Sequence, residues 1–87
     1  MSYSVELTGR AEREVLALDD TMFSRVSAAI DGFVDNPRPP GVRKLKGRKN
    51  DWRIRVGNFR VVYSIDDDAH IVLIHRVTDR KDVYRSV

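Results

Sequence analysis

Arg53, Arg55 and Arg60 bracket Gly57-Asn58, a two-residue turn signal with glycine at its first central position, and apolar and polar residues alternate on both sides of it from Trp52 to Tyr63. With Gly57 and Asn58 as the loop, Val56 faces Phe59, Arg55 faces Arg60, Ile54 faces Val61, Arg53 faces Val62 and Trp52 faces Tyr63. One face is then apolar, made by Trp52, Ile54, Val56, Phe59, Val61 and Tyr63. The other carries the three arginines, with Arg55 and Arg60 directly opposite each other, an arrangement that costs from a few tenths to about 1 kcal/mol. Guanidinium forks grip oxyanions at two points, so a bound polyanion would offset that cost. A solvated outer face with splayed arginines fits the same pattern, and the hairpin alone leaves both readings open.

The charge of the whole chain leans the same way. Residues 1–37 hold three basic and seven acidic side chains, whereas residues 38–87 hold thirteen basic and six acidic ones, so an overall charge of +3 conceals an acidic first part and a strongly basic second part. Between positions 38 and 60 stand Arg38, Arg43, Lys44, Lys46, Arg48, Lys49, Arg53, Arg55 and Arg60 against one acid, Asp51. Such a one-sided field points to an anionic partner, most often nucleic acid. In that reading Arg43, Lys44, Lys46, Arg48 and Lys49 hold phosphates without regard to sequence; a plain solvated loop is the alternative.

Eighty-seven residues make one domain, 1–87, with a single two-layer core and room for a surface groove rather than a deep pocket. The absence of cysteine rules out disulfides and thiolate metal sites and suits a reducing cytosol. His70 and His75 are too few to make a zinc site alone, and Asp66-Asp67-Asp68 lacks the spaced ligands of a calcium loop, so neither metal nor cofactor is expected. The longest apolar runs, 15–18 and 71–74, are four residues each, which excludes a membrane helix; with no basic-then-apolar start, a cytoplasmic location is expected.

The elements that must position the arginines follow from periodicity. Tyr3, Val5 and Leu7 alternate with polar residues as a first strand, and Thr8 can cap a helix from Gly9 to about Leu18. Asp20 caps a second helix over 21–35, whose stripe is Phe23, Val26, Ile30 and Phe33 with Met22 and Ala29 beside it. Asn36-Pro37-Arg38-Pro39-Pro40-Gly41 stops it. Strands are expected at about 42–45, 51–56, 59–65 and 70–77, followed by a short tail or helix. The result is an α+β domain of order β-α-α-β-β-β, with a helical hairpin covering one face of a mainly antiparallel sheet. Pairing the last two strands so that one face stays apolar puts Phe59, Val61, Tyr63, Ile65, Ile71, Leu73 and Val77 in the core. Arg76 then extends the basic face, and His75 faces the core. Arg80 can reach the same patch, with Tyr84 folded over it.

In this order, Leu45-Lys46-Gly47, Trp52-Arg53-Ile54-Arg55, Phe59-Arg60-Val61-Val62-Tyr63 and Asp79-Arg80-Lys81-Asp82-Val83-Tyr84-Arg85 resemble the RelE branch of the RelE/ParE toxin superfamily over nearly the whole chain. The resemblance implies a RelE-like fold and the toxin of a type II toxin-antitoxin module: a ribosome-dependent, metal-independent endoribonuclease that cuts mRNA in the ribosomal A site. It also implies a cognate antitoxin, contacts to the ribosome and its rRNA, and operator DNA reached only through the toxin-antitoxin complex. By position, Arg53 and Arg55 match the basic strand residues that contact the RNA backbone, and Arg60 matches the arginine on the scissile phosphate. Arg80 matches the basic residue before the tail, and Tyr84 the terminal tyrosine near the cut. Two departures stand out: Asp79 where many relatives have histidine, and Arg53 and Arg55 where some have lysine.

In the reaction so implied, the ribose 2′-hydroxyl attacks phosphorus and the 5′-oxygen leaves, so negative charge grows on the phosphoryl oxygens. Each preorganised donor there is worth about 2.7 to 4 kcal/mol. Arginine stays protonated and cannot act as a base, whereas the Tyr84 phenol could be drawn toward use by neighbouring guanidinium groups. Two other readings share the fold: a ParE-like inhibitor of DNA gyrase without nuclease activity, and a remnant that binds RNA without cutting it.

Overall fold

Thr8 separates the first strand, β1 (Ser4–Leu7), from the first helix, α1 (Gly9–Leu16), and its hydroxyl accepts the Ala11 amide as an N-cap. The computed structural model describes residues 2–47 and 50–79. The second helix, α2 (Asp20–Gly32), is capped by Asp19, whose Oδ1 accepts from the Met22 amide at 2.8 Å. The expected cap, Asp20, is instead the first helical residue, where its charge suits the helix dipole. The two aspartates are chemically equal candidates, and the turn begins one residue earlier than expected. α2 also ends earlier than 35, and within its stripe Val26, Ile30 and Phe33 are buried while Phe23 stays 41% exposed. Met22, packed against the core cluster, takes the place expected of Phe23.

The remaining strands are β2 (Arg43–Lys44), β3 (Asp51–Val56), β4 (Phe59–Asp66) and β5 (Ile71–Asp79). They form one five-stranded sheet in the order β1-β5-β4-β3-β2, antiparallel except for β1 beside β5. The two-residue edge strand β2 falls within the short strand expected at about 42–45. Both helices contribute to a core of Ala11, Val15, Val26, Ile30 and Phe33 against Val61, Tyr63, Ile65, Val72, Ile74 and Val77 on the sheet. The fold is therefore α+β, two helices on a mixed sheet.

The β3-β4 hairpin has the expected register at every position from Trp52↔Tyr63 to Val56↔Phe59, including Arg55↔Arg60. Gly57 makes the turn possible with a φ of 59°. A Cβ there would lie 3.1 Å from Arg25 Nη1 and 3.2 Å from Met22 Cε, so the turn tip also seats on α2. Gly57→Ala is expected to destabilise the domain by about 1 to 2 kcal/mol through left-handed strain alone, read as a lower urea midpoint at unchanged slope.

β5 differs from expectation. Val62 pairs with Arg76 but Tyr63 pairs with Ile74, which leaves His75 as an extra residue in a bulge. Val72 and Ile74 are buried together with Val77, and Ile71 and Leu73 turn to the opposite face. The physical reason is the run Ile71-Val72-Leu73-Ile74, which is apolar on both parities. The pairing of β1 then decides, because Val5↔Val72 and Leu7↔Ile74 align the residues that pack on the core.

Candidate functional site

On the sheet face turned away from the helices, β2 lies beside β3 with Arg43 opposite Arg53, and β4 lies on the other side of β3 with Arg60 opposite Arg55. Four arginines on three adjacent strands thus share one face in two like-charged cross-strand pairs. Together with Gly41 and Ile54 they line an open groove of about 250 Å³. Arg53 and Arg60 are half-buried, and Arg43 and Arg55 are exposed. Strand alternation produces this face, since Trp52, Ile54, Val56, Phe59, Val61 and Tyr63 take the other side and pack on or against the core. Arginine forks offer many N–H donors and no acceptor, a chemistry that suits oxyanions.

One wall of the groove comes from the proline-rich loop after α2, and three contacts fix it. The Tyr63 hydroxyl donates to the Pro37 carbonyl oxygen at 2.7 Å, beneath a Phe33 ring whose centroid is 4.3 Å from that of Tyr63. Burial pushes the Tyr63 phenol pKa up, so it remains a donor. Arg38 binds Asp67 through both Nη atoms, at 3.1 and 2.9 Å, and its guanidinium lies 4.9 Å from the Trp52 ring centroid. These contacts set the height at which the chain passes through Gly41, with a φ of 91°, into Arg43.

Asp67 also accepts the Tyr3 hydroxyl at 2.7 Å. The Arg38 hydrogen bonds and then the Tyr3 hydrogen bond lower its pKa to about 2. A depressed folded-state pKa stabilises above the ordinary aspartate range, and that contribution disappears as pH falls through about 2. Wild type and Asp67→Asn are therefore expected to differ in urea midpoint at pH 5 and to converge as pH falls toward 2, with a small difference because Asp67 is exposed. Parallel midpoints across that window would contradict the assignment.

The other expected residues are distributed unevenly. Lys44 is opposite Trp52 and goes to the far side of β2, with Nζ 5.8 Å from the indole centroid, while Lys46 is exposed in the following turn. Arg76, expected to extend the basic face, is held by Glu14 of α1, which accepts from Arg76 Nε at 3.1 Å and from the Val77 amide at 2.8 Å. β1 ends at Leu7, so the β5 edge is open there and Glu14 caps it, drawing Arg76 away from the groove. His75, expected in the core, is carried by the bulge to the other face, where Nε2 and Ser64 Oγ share a hydrogen bond at 3.0 Å. Arg48, Lys49, Arg80 and Tyr84 lie outside the described residues. Among the described residues no three His, Cys, Asp or Glu are placed to hold a metal ion, and no helix is long and apolar enough to cross a membrane.

Residues 5–84 match the family model of the ParE toxin of the type II toxin-antitoxin system parDE. Toxin RelG of Mycobacterium tuberculosis is 33% identical over 90 residues, covering 98% of this chain and 99% of that protein. The chain belongs to the RelE/ParE superfamily of type II toxins. Within it the toxin is RelE-like, as solved structures also indicate. It superposes with a TM-score of 0.82 on the RelE-RelB complex of Pyrococcus horikoshii, at 25% identity, covering 92% of this chain and 97% of that one. The toxin-antitoxin complex RelBE2 of Mycobacterium tuberculosis gives 0.79 at 26% identity, with 92% of this chain and 100% of that one covered. A RelE-like toxin therefore carries its four groove arginines on the outer face of the sheet, away from the helices.

Proposed function

We propose that this toxin is a ribosome-dependent endoribonuclease that cuts mRNA in the A site by attack of a ribose 2′-hydroxyl on the adjacent phosphorus. The observation that supports it is the doubling of like-charged pairs, Arg43↔Arg53 and Arg55↔Arg60, on one sheet face. Each pair opposes folding by up to about 1 kcal/mol, and an RNA phosphodiester placed among them turns that repulsion into binding. Arg60, half-buried in the middle of the row, steadies the charge that grows on the phosphoryl oxygens; Arg53 and Arg55 hold the flanking backbone. Arg80 and Tyr84 complete the set in this reading, Tyr84 as the group that moves a proton. Arg43, Lys46, Arg48 and Lys49 add salt-sensitive grip on messenger or ribosomal RNA, and Lys44 does so from the Trp52 edge. The toxin acts in the cytoplasm and is silenced by a cognate antitoxin, as the RelE-RelB assembly of the Pyrococcus relative suggests.

Adding purified toxin to a translating extract and mapping mRNA 3′ ends tests this. Codon-periodic cuts that vanish without ribosomes are expected. The second reading, inhibition of DNA gyrase, is favoured by the ParE family match; intact mRNA together with blocked supercoiling would establish it in place of the first.

A further inference from the structure

Arg53 and Arg55 stand two residues apart on β3, and each faces an arginine on a different neighbouring strand, Arg43 on β2 for the first and Arg60 on β4 for the second. All four line the open groove, Arg43 and Arg55 exposed and Arg53 and Arg60 half-buried, so each is open to a ligand from solvent. They form two pairs at a fixed offset rather than one cluster. Two residues of an antiparallel strand advance about 6.8 Å and neighbouring strands lie about 4.8 Å apart, which puts the pair centres about 8 Å from each other. Partners within a pair are closer, at about 4.5 to 5.5 Å between Cα atoms. A phosphodiester carries a single negative charge and two non-bridging oxygens, which two arginine forks already occupy, so the second pair is surplus to one phosphate. Consecutive phosphates of an RNA strand are joined through one sugar and its ester oxygens, a span comparable to the two-residue advance. Flexible arginine side chains close the sideways stagger.

We infer that Arg43 and Arg53 form a second phosphate subsite, which takes the phosphodiester next to the one at Arg60. The mRNA backbone then crosses β3 obliquely, from the β2 side to the β4 side, with Arg55 between the two phosphates. The inference rests on the proposed nuclease reading, because it takes the anion in the groove to be RNA. It changes the part of Arg43 from diffuse grip to a defined contact with the message.

The test is the cleavage rate at subsaturating toxin on ribosomes programmed with one A-site codon, using messages with a neutral methylphosphonate at the phosphodiester on the 5′ or the 3′ side of the cut. Wild type is expected to slow about tenfold when the methylphosphonate occupies one of these two positions, the scale of one hydrogen bond to a charged group. Arg43→Ala is expected to slow about tenfold on the unmodified message and to lose nothing further on that modified one, because both changes remove the same contact. Arg43→Gln, polar but uncharged, should behave as Arg43→Ala does. Both variants are expected to melt at or above the wild-type Tm, since Arg43 is exposed and its repulsion from Arg53 is relieved. A rate loss accompanied by a lower Tm in both would assign Arg43 to the fold and overturn the inference. Losses that multiply fully at both positions would also overturn it and leave the nuclease reading standing, because Arg43 would then grip ribosomal RNA or a distant phosphate. Wild-type cleavage of the unmodified message by Arg43→Ala would do the same. A wild-type protein that cuts none of the messages, the unmodified one included, would instead mark failure of the nuclease reading itself.

Discussion

Replacing Arg60 with alanine is expected to slow mRNA cleavage on translating ribosomes by about two orders of magnitude or more, in line with about 2.7 kcal/mol or more for one preorganised donor. Arg60 stands between Arg55 on β3 and Thr78 on β5, so it is the member of the row with neighbours on both sides. It is also half-buried, unlike its neighbour Arg55. Arg60→Lys is expected to recover only part of the rate, because an ammonium is a point charge without the planar fork. The measurement is the fraction of message cut against time in the extract, with far-UV circular dichroism showing that the variants are folded. Wild-type rates in Arg60→Ala would remove this residue from the mechanism.

The largest effect on stability is expected for Phe33→Ala, at about 3 to 5 kcal/mol, the range for emptying a buried aromatic site. Phe33 is fully buried, closes α2 as its C-cap residue and lies against the Tyr63 ring. Its loss takes away more than volume. The Tyr63 hydroxyl holds Pro37, and the loop that follows leads to Gly41 and Arg43 at the groove wall. The urea midpoint reports the stability. Among samples kept below the transition, a cleavage rate that falls further than the folded fraction would show the groove wall loosening. A loss under about 1 kcal/mol would mean that α2 and the sheet repack around the space, contrary to the close fit described.

The groove was legible in the sequence to the extent that a turn could fix it. Gly57-Asn58 leaves the hairpin no choice of register, and a period of two then sorts Arg53, Arg55 and Arg60 to one face without reference to the rest of the molecule. Arg43 was readable as basic but not as the partner of Arg53. Val42-Arg43-Lys44-Leu45 does not alternate, and its register depends on contacts made far along the chain, from Tyr63 to Pro37 and from Arg38 to Asp67. β5 was misread because four consecutive apolar residues offer two equally good faces. Only the bulge at His75 and the alignment with β1 choose between them. Arg76 was misplaced for a related reason, since nothing local indicates that Glu14, on a helix near the other end of the chain, will cap the open edge of that strand.

The parallel pairing of β1 with β5 also sets the order in which a newly made copy becomes complete. β2 to β5 form a local meander, but β1 and α1 dock on β5, so the first elements synthesised wait for the last strand before they find their neighbours. Until then the apolar stripe of α1, with Ala11 and Val15, has no sheet to rest on, and the arginine hairpin lacks the flank that β5 supplies. Contacts of such long sequence separation form late, after the entropy of closing most of the chain has been overcome. The docking of β1 and α1 on β5 is therefore the late step in assembling this domain, whereas the arginine face needs only the local pairing of β2, β3 and β4.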